Sequence, residues 1–169
     1  MKNIAPVILI LTVCLFFIHA HSQDFTYVGA AKCKMCHKSE KQGQQYPLWE
    51  ARKHSKSFAA LSTDEAKALA ADAPDNPKCL SCHSPLAEKA PELKEEGVSC
   101  EVCHGPGSAY KKMSIMKDHA EAVKNGLKEY DSPDSMKAQC LSCHENAHDK
   151  PFDFVTAWEK VKHPKPVGN

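Results

Sequence analysis

The chain has 169 residues, of which 25% are charged, and a formal net charge of +1. This length argues for one domain, and the near-neutral charge gives no indication of a nucleic-acid partner. Nine cysteines and ten histidines carry most of the information about function.

The first 22 residues have the layout of a secretory signal peptide. A short apolar stretch, residues 4–18, is followed by the small residues Ala20 and Ser22. We expect cleavage after Ser22, although cleavage after Ala20 also fits this pattern. An uncleaved membrane anchor is the alternative, but a membrane span needs about 20 apolar residues. We therefore predict residues 1–22 to be a signal peptide, with a periplasmic product that has no transmembrane segment.

The mature chain, residues 23–169, is predicted to form a single domain. It keeps eight cysteines, because Cys14 leaves with the signal peptide. An even number in an exported protein usually suggests disulfides. Here, however, all eight belong to four copies of Cys-x-x-Cys-His. The cysteines are Cys33 and Cys36, Cys79 and Cys82, Cys100 and Cys103, and Cys140 and Cys143, and the histidines that follow them are His37, His83, His104 and His144.

Cys-x-x-Cys-His is the attachment motif of c-type haem. Its two thiols reach the two vinyl groups of one porphyrin, and its histidine becomes the proximal ligand of the iron. A zinc ribbon or a redox-active dithiol would also use paired cysteines. Neither explains a histidine directly after every second cysteine. We therefore predict four covalently attached haem c groups.

A mature chain of about 147 residues cannot bury four macrocycles inside an ordinary side-chain core. The haems must themselves form the core, packed close together, with the protein as a thin wrapping. No stretch of the chain shows sustained strand alternation. We predict a mainly α fold, a small multihaem cytochrome whose helices and loops surround four closely packed haems, with few or no strands.

Outside the motifs, the patterns predict several further helices. Capping residues, apolar periodicity and helix-ending Pro or Gly residues mark them. In chain order they are a helix over 47–54, a surface helix over 63–73, a helix-like stretch over 110–125, a helix that starts at Ser132-Pro133 and continues into the fourth motif, and an apolar helix over 152–161.

Four histidines remain in the mature chain, as many as there are predicted irons. His54, His119 and His163 lie in or next to predicted helices, and we expect them to be distal iron ligands. His148 lies in a polar loop, so it is either a fourth distal ligand or a surface residue. Ligation by two histidines predicts low reduction potentials, whereas an iron without a distal ligand would be an open coordination site.

Several segments resemble the tetrahaem cytochrome c-554 family over nearly all of the mature chain. They are Tyr27-Val28-Gly29, 49–54, 97–107 with the sequence GVSCEVCHGPG, and 152–164. The resemblance implies a mostly helical fold with closely stacked haem pairs. It also implies a periplasmic role in accepting and passing on electrons, which in the best-known member come from hydroxylamine oxidoreductase.

The resemblance also implies an assignment of the distal ligands. It pairs His54 with His104, His119 with His37, and His163 with His144. The second haem, on His83, lacks a distal side chain in the best-known member, and His148 has no clear counterpart there. Because this chain is shorter after His144, hydroxylamine oxidation is not predicted for it.

No phosphate-binding loop or nucleophile elbow occurs in the sequence. The leading hypothesis is therefore an electron carrier without catalytic residues. Its partners would be redox proteins, such as a multihaem oxidoreductase or a quinone-linked membrane cytochrome. One alternative is a reductase or sensor of a small ligand such as nitric oxide at an open second haem. Another is a subunit of a haem filament or respiratory complex.

Overall fold

A computed structural model describes residues 24–145 and 147–165, and within these residues every regular element is helical. The α-helices, α1 to α10, are Ala30–His37, Gln45–Glu50, Ser57–Ala60, Asp64–Leu69, Pro77–His83, Cys100–His104, Met113–Met116, His119–Lys124, Pro133–His144 and Phe154–Val161. Short 3-10 helices are Glu40–Gln42, His54–Lys56, Pro91–Glu96 and Ala147–Asp149. The predicted mainly α class with few or no strands is confirmed.

The predicted signal peptide, residues 1–22, lies outside the described residues. Among the helices of the described ranges, none combines the length and the apolar character needed to cross a membrane.

Each attachment motif lies at the end of a helix, because α1, α5, α6 and α9 all end at the motif histidine. Two of these helices start with proline after a capping side chain. Asn76 accepts a hydrogen bond from the backbone N–H of Lys78 at the start of α5. Ser132 accepts one from Ser135 at the start of α9, so the start predicted at Ser132-Pro133 is confirmed.

The other predicted helices are present but shorter. The stretch 110–125 is divided into α7 and α8, because Asp118 leaves the helical conformation and its carboxylate accepts the N–H of Glu121 as a new cap. Thr63 caps α4 in the same way, but extended backbone at Ala70 ends that helix before residue 73. The helix predicted over 47–54 ends at residue 50.

Few apolar side chains are buried in the described part of the chain. Those that are almost fully buried are Ala30, Leu61, Ala73, Leu86, Ala90, Tyr110 and Ala122. Most of them are alanines, which bury little surface each. Such a set is too small to be the side-chain core of a domain of this length. This scarcity fits the expectation that cofactors fill the interior.

A buried carboxylate connects the start of the described chain to the third motif. Glu101, inside that motif, has only 1% of its surface exposed. Its oxygens accept hydrogen bonds from the backbone N–H groups of Val28 at 3.0 Å, Gly29 at 2.8 Å and Gly107 at 2.6 Å. These three donors compensate for the loss of water around the carboxylate. Glu101 therefore holds the backbone at Val28 and Gly29 against the third motif.

A second carboxylate reinforces the same junction. Glu96 accepts the backbone N–H of Ala30, the first residue of α1, at 3.0 Å. Burial raises the pKa of Glu96 and the charge of Glu101 raises it further, whereas the hydrogen bond from Ala30 lowers it. Together the two side chains hold the start of α1 against α6, which carries the third motif.

Replacing Glu101 by glutamine should destabilise the haem-loaded protein by about 2 kcal/mol. The amide keeps one acceptor oxygen but turns an NH2 group toward backbone donors, so at least one buried N–H loses its partner. Urea unfolding followed by far-UV circular dichroism measures this change. The matched control is Glu95→Gln, at an exposed position, which should change stability by less than about 0.5 kcal/mol. Equal unfolding midpoints for the two variants would contradict the role of Glu101.

Candidate haem-binding sites

The attachment motifs lie next to one another in two pairs. Helix α1 packs against α6, and α5 packs against α9. The thiols of Cys33 and Cys100 interact with each other, which lowers the pKa of Cys33 and raises that of Cys100. Burial raises the pKa of Cys143, and the neighbouring Cys82 raises it further. The first motif is therefore adjacent to the third, and the second is adjacent to the fourth.

The two pairs also meet each other. Burial raises the pKa of Cys103, and the neighbouring Cys140 raises it further, so the third and fourth motifs are within electrostatic reach. Tyr130 lies beside both motifs. Its hydroxyl donates a hydrogen bond to the carbonyl of Cys103 at 2.7 Å. Burial, together with the neighbouring Cys103 and Cys140, raises the pKa of Tyr130 to about 12. The third and fourth motifs thus connect the two pairs.

All eight motif cysteines carry free thiols in the structure. No disulfide competes for them among the described residues, so every motif keeps the two sulfur atoms that thioether attachment requires.

Three histidines outside the motifs stand opposite motif histidines. The distances between ring centres are 6.1 Å for His54 and His144, 6.2 Å for His83 and His148, and 5.8 Å for His104 and His163. An iron between two imidazoles, with each bonded nitrogen about 2.0 Å away, sets the ring centres about 6 Å apart. The residues present therefore fit a haem iron held between each pair.

These pairs differ from the partner assignment that the resemblance implied. His54 faces His144 instead of His104, and His163 faces His104 instead of His144. Two of the three positions predicted to supply distal ligands, His54 and His163, are brought to motif histidines, but they exchange partners.

Long-range hydrogen bonds account for the exchange of motif partners between His54 and His163. The Arg52 guanidinium donates to the carbonyls of Val161 and Lys162, and the Gln45 side chain donates to the carbonyl of Pro164 at 2.9 Å. These bonds hold the segment around His163 along α2, which packs against α1 on the side of the first and third motifs.

His54 is held toward the other pair of motifs by Ser57. The Ser57 hydroxyl lies 2.8 Å from the carbonyl of His54 and 2.7 Å from that of His83, and it accepts the N–H of Val98. The ring of His83 donates from Nδ1 to the carbonyl of Ser57 at 2.9 Å. This bond fixes the orientation of the imidazole and leaves its Nε2 free for a metal.

Burial keeps four of the paired imidazoles, those of His54, His104, His144 and His163, in the form that binds metals. Burial, together with the nearby His163 and His37, lowers the pKa of His104 to about 4. Burial also lowers the pKa values of His54, His144 and His163. A neutral imidazole offers a nitrogen lone pair to a metal, whereas an imidazolium does not.

His119 is placed differently from the other candidates. Its side chain is exposed, and its Nδ1 lies 3.9 Å from a carboxylate oxygen of Glu129. The structure shows no ring pair between His119 and His37 within the described residues, and Nδ1 of His37 is buried without a hydrogen-bond partner. The assignment of His119 to the first iron stays a prediction.

Sequence reasoning missed the residues that support the candidate ligands. Phe152 stacks on His144, with ring centres 4.7 Å apart and planes 12° apart. Ser57 and Tyr130 hold motif backbone through hydrogen bonds. Phe152 is part of an apolar pattern visible in the sequence, whereas Ser57 and Tyr130 have no local signal because their partners are distant in the chain.

Comparison with known proteins gives two matches. A family model described as "Cytochrome c554 and c-prime" matches residues 32–105. Cytochrome c-554 from Nitrosomonas europaea is 25% identical, over 79% of this chain and 64% of its own length. The match thus spans less than two thirds of that relative. No solved structure matches the chain. Both matches agree with the resemblance found in the motifs.

Proposed function

We propose that this member of the cytochrome c-554 family is a periplasmic electron carrier with four covalently attached haem c groups. The observation that supports this most directly is the set of three imidazole pairs, 5.8 to 6.2 Å apart, each of which includes a motif histidine. Pairs with this spacing suit an iron that keeps two axial ligands. They do not suit a zinc ribbon, which would use the thiols.

Within this proposal, each motif contributes two thioether bonds and one proximal ligand. The proximal ligands are His37, His83, His104 and His144. The distal ligands are His54 for the iron on His144, His163 for the iron on His104, and His119 for the iron on His37.

A bound haem c supplies one-electron chemistry between its ferric and ferrous states. The chain contributes the surroundings that set its potential. Two imidazoles without a thioether favour a low potential, and Ser57 and Phe152 hold His83 and His144 in fixed orientations. The attachment sites lie close to one another, and closely spaced redox groups are what a carrier requires.

The haem content can be measured directly. The mass of the mature protein should equal that of the polypeptide from residue 23 plus four haems, and Cys140→Ser combined with Cys143→Ser should remove one of them. Intact-mass spectrometry and a haem-to-protein ratio from absorbance supply both values. A wild-type protein with fewer than four haems would contradict the proposal, and a start other than residue 23 would correct the cleavage site.

The pairing of ligands can be tested by double variants. If His54 and His144 hold the same iron, replacing both by asparagine should lower the number of low-spin irons by one. The matched double variant His54→Asn with His104→Asn should lower it by two. Electron paramagnetic resonance counts the low-spin irons. Two replacements at one shared iron are not additive, so a shared pair is recognised by the smaller loss. If the His54/His104 variant shows the smaller loss instead, the pairing that the resemblance implied is correct.

Electron transfer itself is tested by an anaerobic potentiometric titration. We expect several reversible one-electron steps at low potential. His163→Met should move one step to higher potential, because a thioether ligand stabilises the ferrous state. Stopped-flow mixing of the reduced protein with respiratory membranes from its own cells should then show oxidation of all haems. Irreversible reduction, or no electron exchange with any such fraction, would contradict a carrier role.

A further inference from the structure

We propose that His148 is the sixth ligand of the second haem, so that the iron on His83 has no open coordination position. This inference rests on the proposed function, because it takes the second motif to be a haem site. It differs from what the family resemblance implies for that haem, and it assigns a role to a histidine that the sequence left open.

The first argument is the geometry of the pair. The ring centres of His83 and His148 lie 6.2 Å apart, compared with 6.1 Å for His54 and His144. Because His83 donates from Nδ1 to the Ser57 carbonyl, its Nε2 is the nitrogen available to an iron. The pair has the same spacing as the other two, so the same ion fits between its rings.

The second argument is where His148 comes from. It lies four residues after His144, yet its ring faces His83 of a different motif. This is possible because α5 and α9, which end at His83 and His144, pack against each other. The 3-10 turn Ala147–Asp149 follows the end of α9 and carries the imidazole across to the neighbouring helix.

The third argument is the backbone of that turn. His148 has φ 53° and ψ 33°, and Asp149 has φ 54°. Left-handed backbone costs free energy for residues with a Cβ atom, and two such residues in succession are unusual. The turn is closed by a hydrogen bond from the N–H of Lys150 to the carbonyl of Ala147 at 3.1 Å. An exposed histidine without a function gives no reason for this conformation, whereas ligation does.

The orientation of the rings gives the second haem a distinguishing signature. The planes of His83 and His148 are 80° apart, whereas the other two pairs are 45° and 38° apart. Nearly perpendicular imidazoles leave two iron d orbitals almost equal in energy, which gives a low-spin signal with very large g anisotropy. Planes that are closer to parallel give an ordinary rhombic signal.

The experiment is electron paramagnetic resonance on the oxidised haem-loaded protein, with carbon monoxide binding to the reduced protein as a second readout. We expect the wild type to show only low-spin irons, one of them strongly anisotropic, and no rapid binding of carbon monoxide. His148→Asn removes the imidazole but suits left-handed backbone. This variant should lose the strongly anisotropic signal, gain one high-spin iron and bind one carbon monoxide. Added imidazole should restore the low-spin state.

The matched control is Asp149→Asn, at the neighbouring left-handed position, which should keep all low-spin signals. A wild type with four haems and one high-spin iron would overturn the role of His148 and leave the carrier proposal intact. An unchanged spectrum in His148→Asn would also overturn it. A haem content below four would instead contradict the proposed function. The wild-type spectrum alone decides the question if the variant does not fold.

Discussion

The rest of the structure depends on one spacing, two cysteines three residues apart with a histidine directly after the second. This spacing places both thiols near one face of a helix and the imidazole at its end, and α1, α5, α6 and α9 all end in this way. Four such helices must approach one another closely in a short chain. The described helices are accordingly short, and the remaining residues act mainly as connections between attachment sites.

A chain with so few buried apolar side chains needs other means to fix its segments. Buried polar groups take this role here. Glu101 joins the backbone at Val28 and Gly29 to the third motif, and the indole of Trp49 donates to the carbonyl of Val98 at 2.9 Å. These contacts connect segments that carry the resemblance to the cytochrome c-554 family.

The motifs, the helical class and the capped start of α9 could be predicted from sequence because each depends on residues within a few positions. The pairing of histidines could not. Whether His54 meets His104 or His144 is decided by Ser57 and Arg52, whose hydrogen-bond partners lie far along the chain. The division of the stretch 110–125 was missed for a different reason, because the side-chain cap at Asp118 outweighed a favourable helical pattern.

The histidine pairs also determine how the chain is closed on itself. His54 faces His144, His83 faces His148, and His104 faces His163, so each pair spans several dozen residues and the three spans overlap. In the proposed assignment, every iron is a cross-link that removes conformational freedom from the unfolded chain, in the manner of a disulfide. Because the loops interleave, releasing one ligand leaves the others closed. In the described part of the chain, where few apolar side chains are buried, these metal-closed loops would add to the cohesion that the packed haems supply.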